Sequence, residues 1–143
     1  MAVRTAQAEW RGDLPKGNGQ VRTESGALDG AYSFASRFET GSGTNPEELL
    51  GAAHAACFSM ALSHNLAQAG HTPTRVATSA KVHIDKQGDG FAITRIELDC
   101  EAEVPGIDED EFRRQAEAAK TGCPVSKALS ATAIDLAARL TGR

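Results

Sequence analysis

The stretch NPEELLGAAHAACFSMALSHNLAQAG, residues 45–70, decides the fold because it predicts one long helix that is apolar on most sides. Asn45 suits the N-cap, Pro46 suits the first helical position, and Glu48 completes a capping box. Gly70 is the residue type that typically follows the end of a helix. Because the middle of the helix is alanine-rich and nearly apolar all round, we expect it to be buried on more than one side.

The sequence on both sides of this helix alternates between apolar and polar residues, which is typical of half-buried strands. The predicted strands cover residues 5–10, 20–23, 32–38, 76–85, 91–104 and 134–140. The turn at 87–90 joins two of them into a long antiparallel hairpin. An amphipathic helix over 108–120 and a short helix over 124–129 precede the last strand. This succession predicts an α+β fold, in a single domain over residues 1–143.

Composition and charge exclude several classes of protein. The hydrophobic fraction of 41% and the charged fraction of 24% are ordinary for a soluble globular protein. A formal net charge of −4, without any run of Lys or Arg, argues against nucleic-acid binding. No secretory signal opens the chain, and no apolar run reaches the ~20 residues of a membrane span, so we expect no membrane association. The three cysteines then predict a reducing, cytoplasmic location.

Two cysteines are the candidate redox groups. Cys57 lies within the predicted long helix, about three turns from its start and beyond the reach of the helix dipole. Since the thiolate is the reactive form and a free thiol has a pKa of ~8.5, Cys57 needs a cation to become reactive. Cys123, between Gly122 and Pro124, lies at the N-cap of the predicted short helix, where a thiol pKa is lowered. The residues alone leave open which cysteine attacks a substrate and which one resolves.

Arg37 is the candidate cation, and Glu47 is the candidate carboxylate that holds its guanidinium in place. A guanidinium about 4 Å from a thiolate contributes ~4 kcal/mol at an effective dielectric constant of 20. A net ~2.7 kcal/mol after desolvation would lower the thiol pKa by about two units. Glu47 is about 15 Å from Cys57 along the helix axis, so the two cannot touch within one helix. Glu47 therefore either acts through Arg37 or comes from a second copy of the chain, and the second option predicts a dimer. Alternatively, Arg37 is a solvated arginine and Glu47 only caps the helix.

Two other classes of protein stay open on these residues. His54 and Cys57 share a helix face and could form part of a zinc site with Cys123, although no second Cys/His pair completes it. Both cysteines could instead be small core residues of a non-catalytic stress-response domain. Cys100 alternates with the apolar residues of the strand over 91–104, which indicates core packing.

Several motifs resemble those of the osmotically inducible protein C and organic hydroperoxide resistance family, and most closely its OsmC branch. The strongest are TNPEEL at 44–49, GAAHAACFSMAL at 51–62 and TGCPVS at 121–126. Matching segments also occur at residues 10, 23–26, 37–39, 90–94 and 104–108. The likeness covers essentially the whole chain and is more specific than any single short motif.

The resemblance implies antiparallel sheets wrapped around a long central helix, in an intertwined homodimer with two sites at its interface. It also implies a thiol peroxidase that prefers organic hydroperoxides to hydrogen peroxide. By matching position, Cys57 is the implied peroxidatic cysteine and Cys123 the resolving one, with Arg37 stabilising the thiolate and Glu47 as the partner of that arginine. No cofactor or metal is implied, and the implied reductant is a dithiol, since relatives use lipoyl-type dithiols.

Overall fold

The computed structural model describes residues 1–143, which form two compact units, Met1–Leu49 and Leu50–Arg143. The single domain predicted over the whole chain stays a prediction. The elements in chain order are β1 (Ala6–Arg11), β2 (Asn18–Thr23), β3 (Asp29–Tyr32), α1 (Phe34–Phe38), α2 (Pro46–Gln68), β4 (Arg75–Gln87), β5 (Gly90–Glu103), α3 (Glu109–Gly122), α4 (Pro124–Ala128) and β6 (Ala133–Gly142).

The first unit holds an antiparallel sheet of three strands in the order β1-β2-β3, followed by a short helix. The strand predicted over 32–38 is wrong, because β3 ends at Tyr32 and α1 begins two residues later. Ser33 caps α1 by accepting a hydrogen bond from the backbone N–H of Ser36 at 3.1 Å, and the Ser36 hydroxyl accepts from Ser33 N–H at 2.9 Å. This reciprocal capping box stabilises a helical turn where the alternation of apolar residues indicated a strand.

The long helix α2 has the ends that its sequence predicts. Asn45 Oδ1 accepts from the backbone N–H of Glu48 at 2.8 Å, so Asn45 is the N-cap. The Glu48 carboxylate, however, accepts from the Thr44 hydroxyl at 2.7 Å. Gly70 has φ 91° and ends the helix. Its N–H donates to the Ala67 carbonyl, and the His71 N–H donates to the Leu66 carbonyl, which together form a Schellman motif. No helix of the structure, α2 included, is both long and apolar enough to cross a membrane.

The second unit contains a three-stranded sheet in the order β4-β5-β6. The long antiparallel hairpin is confirmed: Gln87 pairs with Gly90 across a two-residue turn in which Gly88 has φ 58°. The strand predicted at the end of the chain is also confirmed as β6, but it pairs in parallel with β5. This sheet is therefore mixed and not purely antiparallel. The parallel pairing is possible because α3 and α4 form the crossover connection that it requires.

The core of the second unit lies between one face of β5 and the helices α2 and α3. Cys100 is buried, as are the apolar residues of β5 with which it alternates, Ile96, Leu98 and Ala102. The opposite face of the sheet carries ion pairs, such as that between Arg139 and Asp99 at 2.6 Å. The buried core residues are Phe58, Leu62, Leu66, Ile96, Leu98, Cys100, Ala102, Val104, Ile107, Phe112, Ala116 and Ala119.

One face of α2 is not buried in the single chain. Ala52, Ala53 and Ala56 are exposed, and Met60 exposes 75% of its surface. The expectation that this helix is covered on more than one side is therefore not met by one copy of the chain.

Candidate active site

The predicted site residues fall into two groups, one in each compact unit. The first unit brings Arg37 and Glu47 together, and the second unit brings Cys57 and Cys123 together. The end of α1 and the start of α2 carry the first group, whereas the middle of α2 and the start of α4 carry the second.

Arg37 and Glu47 form an ion pair within one chain. Arg37 Nη2 lies 2.7 Å from Glu47 Oε1, and Arg37 Nε donates to Oε1 at 2.9 Å and to Oε2 at 3.2 Å. The Glu47 side chain is only 7% exposed and that of Arg37 is 34% exposed, while the guanidinium carbon lies 5.2 Å from the Phe38 ring centroid. Two guanidinium nitrogens on one buried carboxylate fix the orientation of the cation more firmly than a single contact would.

Hydrogen bonds in the loop between α1 and α2 fix the two helix ends that carry this ion pair. Asn45 Nδ2 donates to the Ser36 carbonyl at 3.0 Å, and the Ser36 hydroxyl donates to the Thr44 carbonyl at 2.7 Å. Gly43 in this loop has φ 110°, and a Cβ there would lie 2.6 Å from the Ala31 carbonyl oxygen. Only glycine fits this position, so the residue type contributes to the approach of the two helix ends.

Cys57 lies half-buried on α2, with its sulfur directed towards the start of α4. The Cys57 sulfur is close enough to the Cys123 side chain and to the backbone N–H of Val125 for both to shift the pKa of its thiol. Burial raises the pKa of the Cys57 thiol and the neighbouring Cys123 thiol raises it further, while the Val125 N–H opposes both by lowering it. All three cysteines are free thiols in this structure. The second unit therefore juxtaposes two sulfurs without itself making Cys57 more acidic than an ordinary thiol.

Cys123 is the N-cap of α4, as its sequence predicts. Its sulfur accepts from the backbone N–H of Ser126 at 3.3 Å and donates its own proton to the Ser126 hydroxyl at 3.1 Å. Pro124 follows at the first helical position, and the Cys123 N–H closes α3 by donating to the Ala119 carbonyl at 3.0 Å. The cysteine is fully buried between the two helices, so its sulfur has little freedom to move.

Sequence reasoning missed Ser126. Its hydroxyl lies 2.7 Å from Nε2 of the fully buried His54, so that histidine bonds a serine. No group of three His, Cys, Asp or Glu side chains is arranged to hold a metal ion, and the set His54, Cys57 and Cys123 is accordingly not a metal cluster. Cys123 and Ser126 occupy the N-cap and N3 positions of α4, and this spacing could have revealed the contact between these two residues.

The sequence is similar to peroxiredoxins and organic hydroperoxide resistance proteins. Peroxiredoxin OsmC of Escherichia coli (strain K12) is 57% identical over 126 residues, which cover 87% of this chain and 88% of that protein. An organic hydroperoxide resistance protein of Xanthomonas axonopodis pv. citri (strain 306) is 36% identical over 89 residues, 62% of this chain and 61% of that protein.

A solved structure and a family model extend the comparison to the fold. The crystal structure of the organic hydroperoxide resistance protein OhrB of Bacillus subtilis has a TM-score of 0.71 at 28% identity, covering 96% of this chain and 98% of that one. The model described as OsmC-like protein matches residues 39–138, which is well over half of the chain. On these grounds the chain belongs to the OsmC-like protein family.

Proposed function

We propose that this chain, a thiol-dependent peroxidase of the OsmC-like family, reduces organic hydroperoxides to alcohols, and hydrogen peroxide less well, through a cycle of Cys57 and Cys123. The observation that supports the cycle is the approach of the two sulfurs from separate helices, with free thiols at both positions. Names that relatives carry, peroxiredoxin and organic hydroperoxide resistance protein, support the substrate class. The metal-binding alternative has no ligand cluster to support it.

The cycle begins at Cys57. Its thiolate attacks the terminal peroxide oxygen, an S–O bond forms as the O–O bond breaks, and the leaving alkoxide takes a proton to become the alcohol. Cys123 then attacks the sulfur of the resulting sulfenic acid, so that an S–S bond forms and the hydroxyl group leaves as water. A dithiol reductant restores both thiols by two steps of thiol–disulfide exchange and is itself oxidised to a disulfide.

We infer that Arg37, held by Glu47, supplies the positive charge that Cys57 needs. Burial raises the pKa of this thiol, and in the second unit only a backbone N–H opposes the shift. The first unit offers a guanidinium whose orientation is fixed by a buried carboxylate. A cation close to sulfur stabilises the thiolate and leaves the neutral thiol unaffected, so it lowers the pKa.

We propose a homodimer, with a hydroperoxide as substrate, a dithiol as reductant and the cytoplasm as location. The exposed apolar face of α2, which includes Ala52, Ala56 and Met60, supports a second copy as its cover. Three cysteines that are all free support a reducing compartment.

Mass spectrometry of the fully reduced protein after addition of cumene hydroperoxide tests the cycle. The expected product has lost two hydrogens and yields a peptide pair in which Cys57 is linked to Cys123. Cys100 serves as the internal control and stays reduced, because it is buried in the apolar core. An unchanged mass under excess hydroperoxide would remove the two-cysteine peroxidase from consideration.

A further inference from the structure

A series of three hydrogen-bonded side chains begins at Cys123, and the proposed cycle gives no role to the other two, Ser126 and His54. The Cys123 thiol donates to the Ser126 hydroxyl at 3.1 Å, and that hydroxyl lies 2.7 Å from Nε2 of His54. All three side chains are buried, and His54 and Cys123 have no exposed surface at all. These hydrogen bonds connect the thiol of the resolving cysteine to an imidazole that solvent does not reach.

We propose that His54 accepts the proton of the Cys123 thiol through the Ser126 hydroxyl when Cys123 attacks the sulfenic acid of Cys57. The inference rests on the proposed peroxidase cycle and concerns its second step alone. In this scheme Ser126 touches the reacting thiol, and His54 is a positioning residue that acts through it.

The hydrogen bonds provide the path of the proton transfer. The thiol donates to the Ser126 hydroxyl, and in the tautomer that the proposal requires this hydroxyl donates to Nε2 while the ring proton is on Nδ1. As the S–S bond forms, the thiol proton moves to the serine oxygen and the serine proton moves to Nε2. The imidazolium afterwards returns one proton to the hydroxide that leaves Cys57, which becomes water. Protons and electrons balance without any added base or oxidant.

The surroundings of His54 suit a transient acceptor. Burial lowers the pKa of His54, so the ring is neutral at neutral pH and Nε2 has a free lone pair. Burial is the only cause of that shift, and hence no charged group on a neighbouring element contributes. Lys127, the charged side chain of α4, is exposed to solvent. An imidazolium in this place is short-lived, which favours return of the proton.

The other ring nitrogen of His54 argues against a purely structural role. Nδ1 is buried and has no hydrogen-bond partner. A buried polar atom without a partner is unfavourable, and an apolar side chain of similar size would avoid that cost. The histidine is therefore not explained by packing, whereas a role for Nε2 explains it.

Single-turnover kinetics of the variant H54Q test the proposal. Reduced protein is mixed with cumene hydroperoxide, and the sulfenic acid and the disulfide are followed by rapid quenching and mass spectrometry between about pH 6 and pH 9, which brackets the ordinary thiol pKa. We expect H54Q to form the sulfenic acid at Cys57 but to close the disulfide about 100-fold more slowly at neutral pH. The defect should shrink as the pH rises, because hydroxide can then replace the missing internal base. H64Q, the same change at an exposed position of α2, should keep the wild-type profile.

Variants of Ser126 decide the question independently, including the case in which H54Q does not fold. S126A removes the bridging hydroxyl and should show the slow, pH-dependent disulfide step, whereas S126T keeps a hydroxyl and should restore the wild-type profile. Disulfide closure in folded H54Q or S126A with the rate and pH dependence of the wild type would overturn the role of His54. Failure of the wild-type protein to form sulfenic acid at Cys57 would instead overturn the peroxidase cycle itself.

Discussion

Ser126 donates its backbone N–H to the sulfur of Cys123 at 3.3 Å, and the backbone N–H of Val125, one residue earlier, lowers the pKa of the Cys57 thiol. Two consecutive amides in the first turn of α4 therefore act on the two sulfurs of the proposed cycle. Both N–H groups are free to do so because the first turn of a helix leaves its amides without partners inside the helix. The start of α4 thus influences both thiols.

Substitution of each cysteine should separate the two steps of the cycle. Cys57→Ser should abolish peroxide turnover, because the attacking sulfur is gone. Cys123→Ser should allow one turnover and then leave Cys57 open to oxidation to sulfinic and sulfonic acid. A coupled assay with a dithiol reductant measures turnover, and mass spectrometry measures over-oxidation. Cys100→Ala is the control and should keep its activity; a Cys57→Ser protein with full activity would contradict the scheme.

Removal of the Arg37 guanidinium should raise the pKa of the Cys57 thiol. Loss of about 2.7 kcal/mol of thiolate stabilisation corresponds to a rise of about two units in Arg37→Ala. Arg37→Lys should show a smaller rise, since lysine keeps the charge but cannot form the fork on Glu47. The measurement is the rate of iodoacetamide alkylation at Cys57 against pH, read by peptide mass spectrometry. Equal pKa values in Arg37→Ala and the wild type would show that another group activates this thiol.

The buried His54 should make stability depend on pH on the acidic side. Because burial lowers the pKa of His54 in the folded chain, the unfolded chain binds more protons once the pH falls below the ordinary histidine value near ~6.5. The contribution of His54 to stability is therefore complete above that value and is lost as the pH falls through the folded pKa. Urea unfolding of H54Q at several pH values should show a weaker loss of stability in acid than the wild type or H64Q. Parallel losses in all three proteins would contradict this prediction.

The exposed apolar face of α2 should mediate dimer formation. Ala56→Glu introduces a charge into this face and should give a monomer, because a buried unpaired carboxylate is strongly unfavourable. Light scattering coupled to size exclusion measures the mass in solution. The control is Arg113→Glu, which adds the same residue at an exposed position of α3 and should leave the dimer intact. A wild-type protein that is monomeric at micromolar concentration would refute the prediction at once.

Local signals in the sequence predicted the helix ends and the hairpin well. Asn45 and Gly70 have the residue types that their caps require, and the alternation along β5 identified its buried face. The strand predicted over 32–38 failed because apolar residues at 34 and 38 also fit the four-residue spacing of a helix, and the capping box Ser33–Ser36 decides for the helix.

Contacts between distant residues could not be predicted from local patterns. The parallel pairing of β6 depends on the crossover through α3 and α4, and the bond between His54 and Ser126 joins residues 72 positions apart. For the site, the sequence indicated the two cysteines and named Glu47 as the candidate partner of Arg37, whereas the bond between Ser126 and the distant His54 has no local signal.

Because the two cysteines are far apart along the chain, their oxidation to a disulfide changes the stability of the protein against unfolding. A bridge between Cys57 in α2 and Cys123 at the start of α4 closes a loop over residues 57–123, nearly half of the protein. Closure of a loop of this length reduces the entropy of the unfolded chain by an amount equivalent to about 4 kcal/mol. Each catalytic cycle would therefore alternate between an oxidised chain that resists unfolding and a reduced chain that unfolds more readily, so that the supply of reductant sets the thermal tolerance of the protein.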